Sequence, residues 1–485
     1  MKILITGANG YIGRRLKAKL EKNSDLNLRL FVRNKKSVLE NDVEVFEGST
    51  FDEDSLRKAL SGVDTAYYLI HSMGSDNYKD LDKLSATNFI NIASECGVKR
   101  VIYLGGLGVK DKNISKHLLS RIQTGEILSS LDVQTVWVRA GIIIGSGSAS
   151  FEIIRNLVEK LPIMLTPKWV NTKTQPIAIE DVLSYLEKSL YLKEKENLVV
   201  DIGTHSLNYK EMMLQSAKAL NLKRYMITVP FMSIKLSSHW LNIFTPVPFS
   251  LAKELIDGLK SEAVIQNDNA KKYFPEIKPV SYIDAVKKAE ERIKQNQVIS
   301  RWDDKGGRIW EEVHKDEFHD AIFFDRKQKD ISHLDKHKIY QSFMAIGGKN
   351  GWFAYDFLWT IRGFLDKIVG GVGIKRGRRD PINLRIGDSL DFWKVVDIKK
   401  DERLLLFAQM KLPGLAWLEF KIKDDELIQS AYFYPKGVLG RFYWYTLIPL
   451  HYLVFTNMIN GIVKKSENSD QTKTNGKIKR TLKSM

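Results

Sequence analysis

The sequence has one cysteine, Cys96, in 485 residues, so it can build neither an internal disulfide nor a cysteine-based zinc cluster. That scarcity suits a reducing compartment, and Cys96 itself reads as a small buried apolar residue. The nine histidines show no metal-ligand spacing. No signal segment opens the sequence: Met1-Lys2-Ile3-Leu4-Ile5-Thr6 runs straight into a glycine turn, and the chain reads as cytoplasmic. A clean membrane span is also lacking, because the apolar run at 442–463 contains Pro449, His451, Asn457 and Asn460. It predicts a buried core helix in preference to a spanning one, with peripheral membrane contact left open. No nucleic-acid motif accompanies the net charge of +17, so nucleic acid is not an expected partner.

Hydrophobic residues at 44% and charged residues at 27% give the balance of a globular chain, and its length predicts two or three folded units. In the first part, apolar runs at 2–6, 27–32, 43–46, 65–70, 100–104 and 135–138 alternate with amphipathic runs at 12–21, 54–61, 81–95 and 117–130. That alternation predicts α/β architecture, a doubly wound parallel sheet wrapped by helices. From about 150 the alternation becomes irregular, as in a substrate-covering region. Beyond a boundary at 298/299 the pattern changes to locally paired strands at 389–398, 403–412, 416–423 and 427–434, with Asp424-Asp425 as a turn, which predicts an α+β domain with an antiparallel sheet to about 465. The rest, 466–485, is polar and basic and predicts a disordered tail.

Thr6-Gly7-Ala8-Asn9-Gly10-Tyr11-Ile12-Gly13 follows a strand and opens a helix, the context of a dinucleotide fingerprint. Gly7 permits the tight turn, Gly10 lets backbone approach a pyrophosphate, Gly13 allows close helix packing, and the helix N-terminus supplies a positive dipole. An NAD site usually places a carboxylate at the end of the second strand. Here the sequence is Phe31-Val32-Arg33-Asn34-Lys35-Lys36, with no acid. Arg33, with Arg14 beside the glycines, is placed to grip a 2′-phosphate, so the expected cofactor is NADP(H).

These glycines, with Gly48 to Asp52, Gly62-Val63-Asp64, Asn88, Arg139-Ala140-Gly141-Ile142 and Gln175 to Val182, resemble the atypical or extended short-chain dehydrogenase/reductase superfamily, close to its NmrA- and epimerase-like members. The resemblance covers about 295 residues and implies an NAD(P)-binding Rossmann domain; Ser49 stands where relatives often carry an aspartate near the adenine. Active members use a Ser at a strand end and a Tyr with a Lys four residues on, since hydride transfer needs a proton partner of matched pKa. Here the strand ends in Gly105-Gly106-Leu107-Gly108, and the helix reads His117-Leu118-Leu119-Ser120-Arg121. His117 and Arg121 keep the four-residue spacing and become the candidate acid/base and orienting pair. His71, in the loop His71-Ser72-Met73-Gly74 after the fourth strand, is expected beside the cofactor. Tyr103 is expected in the core.

The third region carries Arg376-Gly377-Arg378-Arg379-Asp380-Pro381, Leu384 to Asp388, Asp391-Phe392-Trp393, Met410 to Gly414, Trp417 to Phe420 and Tyr443-Trp444-Tyr445. Over 302–465 it resembles an uncharacterised domain that follows atypical dehydrogenases and is similar to the START-related helix-grip fold, which implies a curved antiparallel sheet closed over a long helix around an apolar cavity. Lys375, Arg376, Arg378 and Arg379 read as a solvated cluster facing phospholipid headgroups. Together these features suggest an oxidoreductase acting on an apolar, lipid-like small molecule. A non-catalytic NADP(H)-binding sensor or scaffold and a lipid carrier are the alternatives.

Overall fold

A computed structural model describes residues 1–33, 35, 43–71, 78–108, 114–166, 168–228, 258, 261–295, 323–368, 373, 378–380, 383–435 and 437–481. The chain divides into two compact units, Met1–Lys305 and Gly306–Met485. The expected boundary at 298/299 falls outside the described residues.

In the first unit the principal elements are β1 (Lys2–Thr6), α1 (Tyr11–Leu20), β2 (Asn27–Val32), β3 (Glu44–Glu47), α2 (Glu53–Leu60), β4 (Thr65–Tyr68), α3 (Tyr78–Glu95), β5 (Arg100–Gly106), α4 (Lys116–Leu128), β6 (Gln134–Ala140), α5 (Ala149–Lys160), α6 (Ile179–Lys188), β7 (Leu198–Ile202), α7 (Tyr209–Ala219) and α8 (Tyr282–Lys294). Seven strands form one parallel sheet in the order β7-β6-β5-β4-β1-β2-β3. The strands read as near-continuous apolar runs because both faces are covered. Leu16 and Leu20 of α1 and Val182 and Leu186 of α6 pack with Ile3 and Ile5 on one face. Leu56 of α2, Phe89 of α3 and Ile122 of α4 pack with Leu4 and Val101 on the other. This is the doubly wound, Rossmann-like architecture, and it puts the carboxyl ends of β1, β2, β4 and β5 along one edge. The order reverses beside β1, where ligands bind in such sheets.

The second unit contains β8 (Phe323–Asp330), α9 (Lys336–Met344), α10 (Asp356–Ile368), β9 (Ser389–Leu390), β10 (Trp393–Lys399), β11 (Arg403–Ala408), β12 (Gly414–Lys423), β13 (Glu426–Pro435) and α11 (Gly437–Thr481). Its antiparallel sheet has the order β8-β13-β12-β11-β10-β9. The expected turn joins β12 to β13, with Asp424 at φ 53°. One sheet face packs on α9 and α11 through Phe343, Phe392, Phe420, Phe455 and Met458.

Three local expectations change. Cys96 is part-exposed just beyond α3, because the chain turns at Gly97 before the next strand. The 442–463 segment is helical but buried along one side only, with Trp444, Val454, Phe455 and Ile459 inward and Phe442, Tyr445 and Tyr452 outward. The segment from 466, expected to be disordered, continues the α11 helix to Thr481. Once a helix is nucleated, each further residue adds a hydrogen bond, and no proline interrupts this stretch.

Candidate functional site

Thr6 at the end of β1 ties two strand ends together: its hydroxyl donates to the Tyr67 carbonyl (2.9 Å) and accepts from the Leu69 N–H (3.2 Å). The chain then turns through Gly7, whose φ of +63° favours glycine; a Cβ there would lie 2.6 Å from the Leu69 carbonyl oxygen. A Cβ at Gly13 would lie 2.3 Å from the Gly7 carbonyl oxygen, so α1 seats directly on the loop. Gly10 caps α1 without a side-chain bond, which leaves first-turn N–H groups directed at the strand ends. Arg14 Nε donates to the Asn9 carbonyl (3.0 Å), and Arg33 lies exposed just beyond β2. Side-chain-free glycines, an open helix N-terminus and two arginines fit a phosphorylated dinucleotide. Tyr11 and Ile12 serve the packing side of this turn. Burial pushes the Tyr11 phenol up to about 12, and the Arg15 guanidinium lies 4.8 Å from its ring centre. Asn34, Lys36, Ser72, Met73 and Gly74 fall outside the described residues.

Two residues beyond Leu69, His71 enters a chain of three side chains. Its Nδ1 lies 2.8 Å from Asp82 Oδ2, and its Nε2 lies 3.1 Å from His117 Nδ1. The rings are 4.7 Å apart. Asp82, on α3, also accepts from the Ser120 hydroxyl (3.2 Å). Below it, Tyr68, Ser85 and Thr50 form a buried hydroxyl chain at 2.8 and 2.7 Å. The geometry sets the tautomers. An ionised carboxylate only accepts, so His71 Nδ1 donates to it; neutral His71 Nε2 must then accept, so His117 Nδ1 donates and His117 Nε2 keeps its lone pair. His117 is the second residue of α4, which Ser115 caps by accepting from the Leu118 N–H (3.2 Å). Burial first, then His71 and Arg121, push the His117 imidazole down to about 2, with Asp82 opposing. A cation is therefore disfavoured on His117.

Arg121 is tied to the end of β5: its Nη2 donates to the Leu104 carbonyl (2.8 Å), while its own carbonyl accepts from the Tyr103 hydroxyl (2.9 Å). It faces the His117 ring as a charge, and among the described residues its buried Nε has no partner. Tyr103 is core as expected, with its phenol pushed by burial to about 12. At the strand end, side chains already fill the space a serine would need. A Cβ at Gly105 would meet the Trp137 indole nitrogen at 2.2 Å, and one at Gly106 would meet Leu118 at 2.6 Å.

Sequence reasoning missed Asp82 and Arg15. Asp82 sits in a polar stretch of helix and is 4% exposed; its signal is its place one turn into the helix after His71. Arg15 turns inward and donates to the Ser146 carbonyl (2.7 Å) and hydroxyl (3.1 Å). The basic cluster of the second unit needs correction. Arg379 is buried against Asp388 at 3.1 Å, and Arg378 Nη1 donates to the Ile346 carbonyl (2.8 Å), with burial pushing its guanidinium down to about 10. Arg379 neutralises the buried Asp388 just before β9, and Arg378 holds the same loop through backbone carbonyls. Lys375 and Arg376 lie outside the described residues. A groove of about 740 Å³ on the other sheet face, lined by Arg326, Lys399, Arg403, Lys421 and Glu419, holds its central cation in place: Arg403 pairs with Glu419 (2.6 Å) and Asp397 (3.2 Å).

Residues 7–139 match a family model described as NAD(P)H-binding, and residues 318–458 match one described as a protein of unknown function, DUF2867. No curated protein matches the chain. Among solved structures, the chain is similar to a nucleoside-diphosphate-sugar epimerase from Staphylococcus aureus (16% identity, 59% of this chain and 100% of that one, TM-score 0.49). It is also similar to the triphenylmethane reductase of Citrobacter sp. complexed with NADP(H) (20% identity, 60% and 100%, TM-score 0.49). A third is the UDP-glucuronic acid 4-epimerase of Bacillus cereus in complex with NAD (15% identity, 61% and 99%, TM-score 0.45). Residues 7–139 thus resemble an NAD(P)H-binding segment, set here in a parallel sheet of Rossmann-like order.

Proposed function

We propose that the first unit is an NADP(H)-dependent oxidoreductase acting on an apolar carbonyl- or quinone-like small molecule, with His117 as its acid/base. The observation that supports this most is the Asp82–His71–His117 chain, which starts two residues past the carbonyl that touches Gly7. Thr6, Gly7, Asn9, Gly10 and Gly13 would shape the pyrophosphate turn, and Arg14 and Arg33 would hold a 2′-phosphate. The bound nicotinamide supplies a hydride. In the reducing direction the extra proton rests on His71 beside Asp82. His117 Nε2–H protonates the substrate oxygen while His117 Nδ1 takes the proton from His71 Nε2, which returns the neutral tautomers. Neither step puts a full cation on the buried His117 ring. Arg121 orients His117 rather than touching substrate. We read the second unit as START-like, in support of which one long helix packs across a six-stranded antiparallel sheet.

Calorimetric titration with NADPH and NADH, for the wild type and Arg33→Ala, tests the cofactor. A charge-assisted bidentate contact contributes about 1.5–3 kcal/mol, so the preference for NADPH should fall roughly ten- to a hundredfold in the variant. NADPH oxidation with a panel of quinones and carbonyls, abolished by His117→Ala, tests the chemistry. Tight NADPH binding with no turnover on any of them would overturn catalysis in favour of a sensor.

A further inference from the structure

Helix α10 packs Leu358 and Trp359 on the core in its first half, but its second half is built inside out. Its inward side carries Asp366 and Lys367, both buried, and Asp366 accepts from the N–H groups of Gly373 (2.9 Å) and Lys411 (2.8 Å). Its outward side carries Phe357, Ile361, Phe364, Leu365 and Ile368, spaced for one helical face, with Phe364 63% and Ile368 66% exposed. A surface helix of a water-soluble protein has the reverse pattern. Its neighbour α11 continues the surface: Arg362 of α10 donates to the Tyr443 hydroxyl (3.3 Å). On α11, Leu439 (76%), Phe442 (68%) and Leu453 are exposed, as are Tyr445 and Tyr452 (66%) beside Phe323 and Lys327 of the edge strand β8, while the sheet buries Trp444, Phe455, Met458 and Ile459.

We propose that this two-helix face seats the second unit in the surface of an anionic phospholipid bilayer. The stretch Leu439–Glu467 is long and apolar enough to cross a membrane. It cannot do so here, because one side of it is packed on the sheet and closed to lipid. The exposed side, chiefly apolar from Leu439 to Leu453, calls for an apolar medium, and an in-plane helix sinks its apolar face about 5–10 Å into the headgroup and acyl boundary. Charge selects the medium. The sequence has no carboxylate between Glu426 and Glu467, and the apolar run is bounded by Arg441 on one side and Lys464 and Lys465 on the other. Cations at the margin and tyrosines within the face suit anionic headgroups. A second copy of the chain fits less well, since a standard protein interface carries about ten direct hydrogen bonds. Over its apolar length this face offers chiefly tyrosine phenols and the hydroxyls of Thr360 and Thr446; the exposed amides Asn457 and Asn460 stand only at its far end, where Asn457 already donates to the Leu453 carbonyl (2.8 Å).

Co-sedimentation of the full chain with phosphatidylcholine vesicles, with or without phosphatidylglycerol, tests the proposal. The protein should pellet with the mixed vesicles, less so at high salt, and should be released by alkaline carbonate. The Phe364→Glu/Ile368→Glu/Phe442→Glu variant changes only exposed positions, and its thermal unfolding by circular dichroism should match the wild type. Its lipid partitioning should drop about tenfold or more. Wild-type protein that stays in the supernatant with both vesicle types at low salt would overturn the inference, as would a carbonate-resistant pellet. So would a wild-type dimer, without vesicle binding, that the triple variant dissolves into monomers.

Discussion

Beside the proton transfer proposed for it, the buried His117 ring carries a consequence for stability. Its imidazole is held at about 2 in the folded chain against an ordinary value near 6.5, so between those values the unfolded chain binds the proton and the folded chain does not. Stability is therefore complete above about pH 6.5 and falls as the pH drops, by at most about 1.4 kcal/mol per pH unit for this group. His451, pushed by burial to about 4, acts in the same direction in the second unit. Thermal unfolding of the first unit should lose several degrees between pH 7 and pH 5, and His117→Asn should flatten that slope; an unchanged slope would mean that the ring is solvated. At this scale the sequence was half legible. The His117–Arg121 spacing and the position of His71 are visible in the linear chain. Their meeting is not, because 46 residues separate the two histidines, and the link to Asp82 depends on how α3 rolls against α4.

The elements were the most readable level. Each predicted strand of the first sheet lies within a few residues of its observed bounds, because strands buried on both faces leave an unambiguous apolar run between turn residues. Harder to see was the loop before β9. Its arginines look like any solvated basic run until a buried carboxylate is known to wait for them. Arg379 and Asp388 are 5% and 0% exposed as side chains, so removing one partner strands the other. Asp388→Ala should cost about 3–5 kcal/mol, whereas an Arg379→Leu/Asp388→Leu double variant should recover much of it. Chemical denaturation of the three proteins checks this; equal losses for single and double variants would mean that the pair is not coupled. The inverted face of α10 was equally hidden, since periodicity gives the width of an apolar stripe but not which side the protein covers.

At the level of the whole chain, two units with separate cores predict two unfolding transitions in calorimetry. Only the one that contains the glycine turn should respond to cofactor. NADPH at a hundredfold excess over its dissociation constant should stabilise that unit by about 2.7 kcal/mol and raise its transition by several degrees, with the other unmoved. A shift of both by the same amount would show that the units unfold as one. The change from alternating to locally paired strands near residue 300 was legible as a change of architecture because parallel and antiparallel sheets need different connections. What the second unit holds was not, since one apolar pattern serves core, cavity and membrane face alike.

The packing of Trp137 against Gly105 and Gly125 bears on which substitutions this strand end tolerates. With the indole 2.2 and 2.4 Å from where those Cβ atoms would stand, a serine cannot be introduced at position 105 unless residue 137 shrinks first. The serine would clash if it came alone, and a smaller residue 137 would leave a cavity if it came alone, so each single step is unfavourable and only the pair is tolerated. Residues 105, 125 and 137 therefore behave as one unit: the sheet accepts a change in all of them together more readily than in any one.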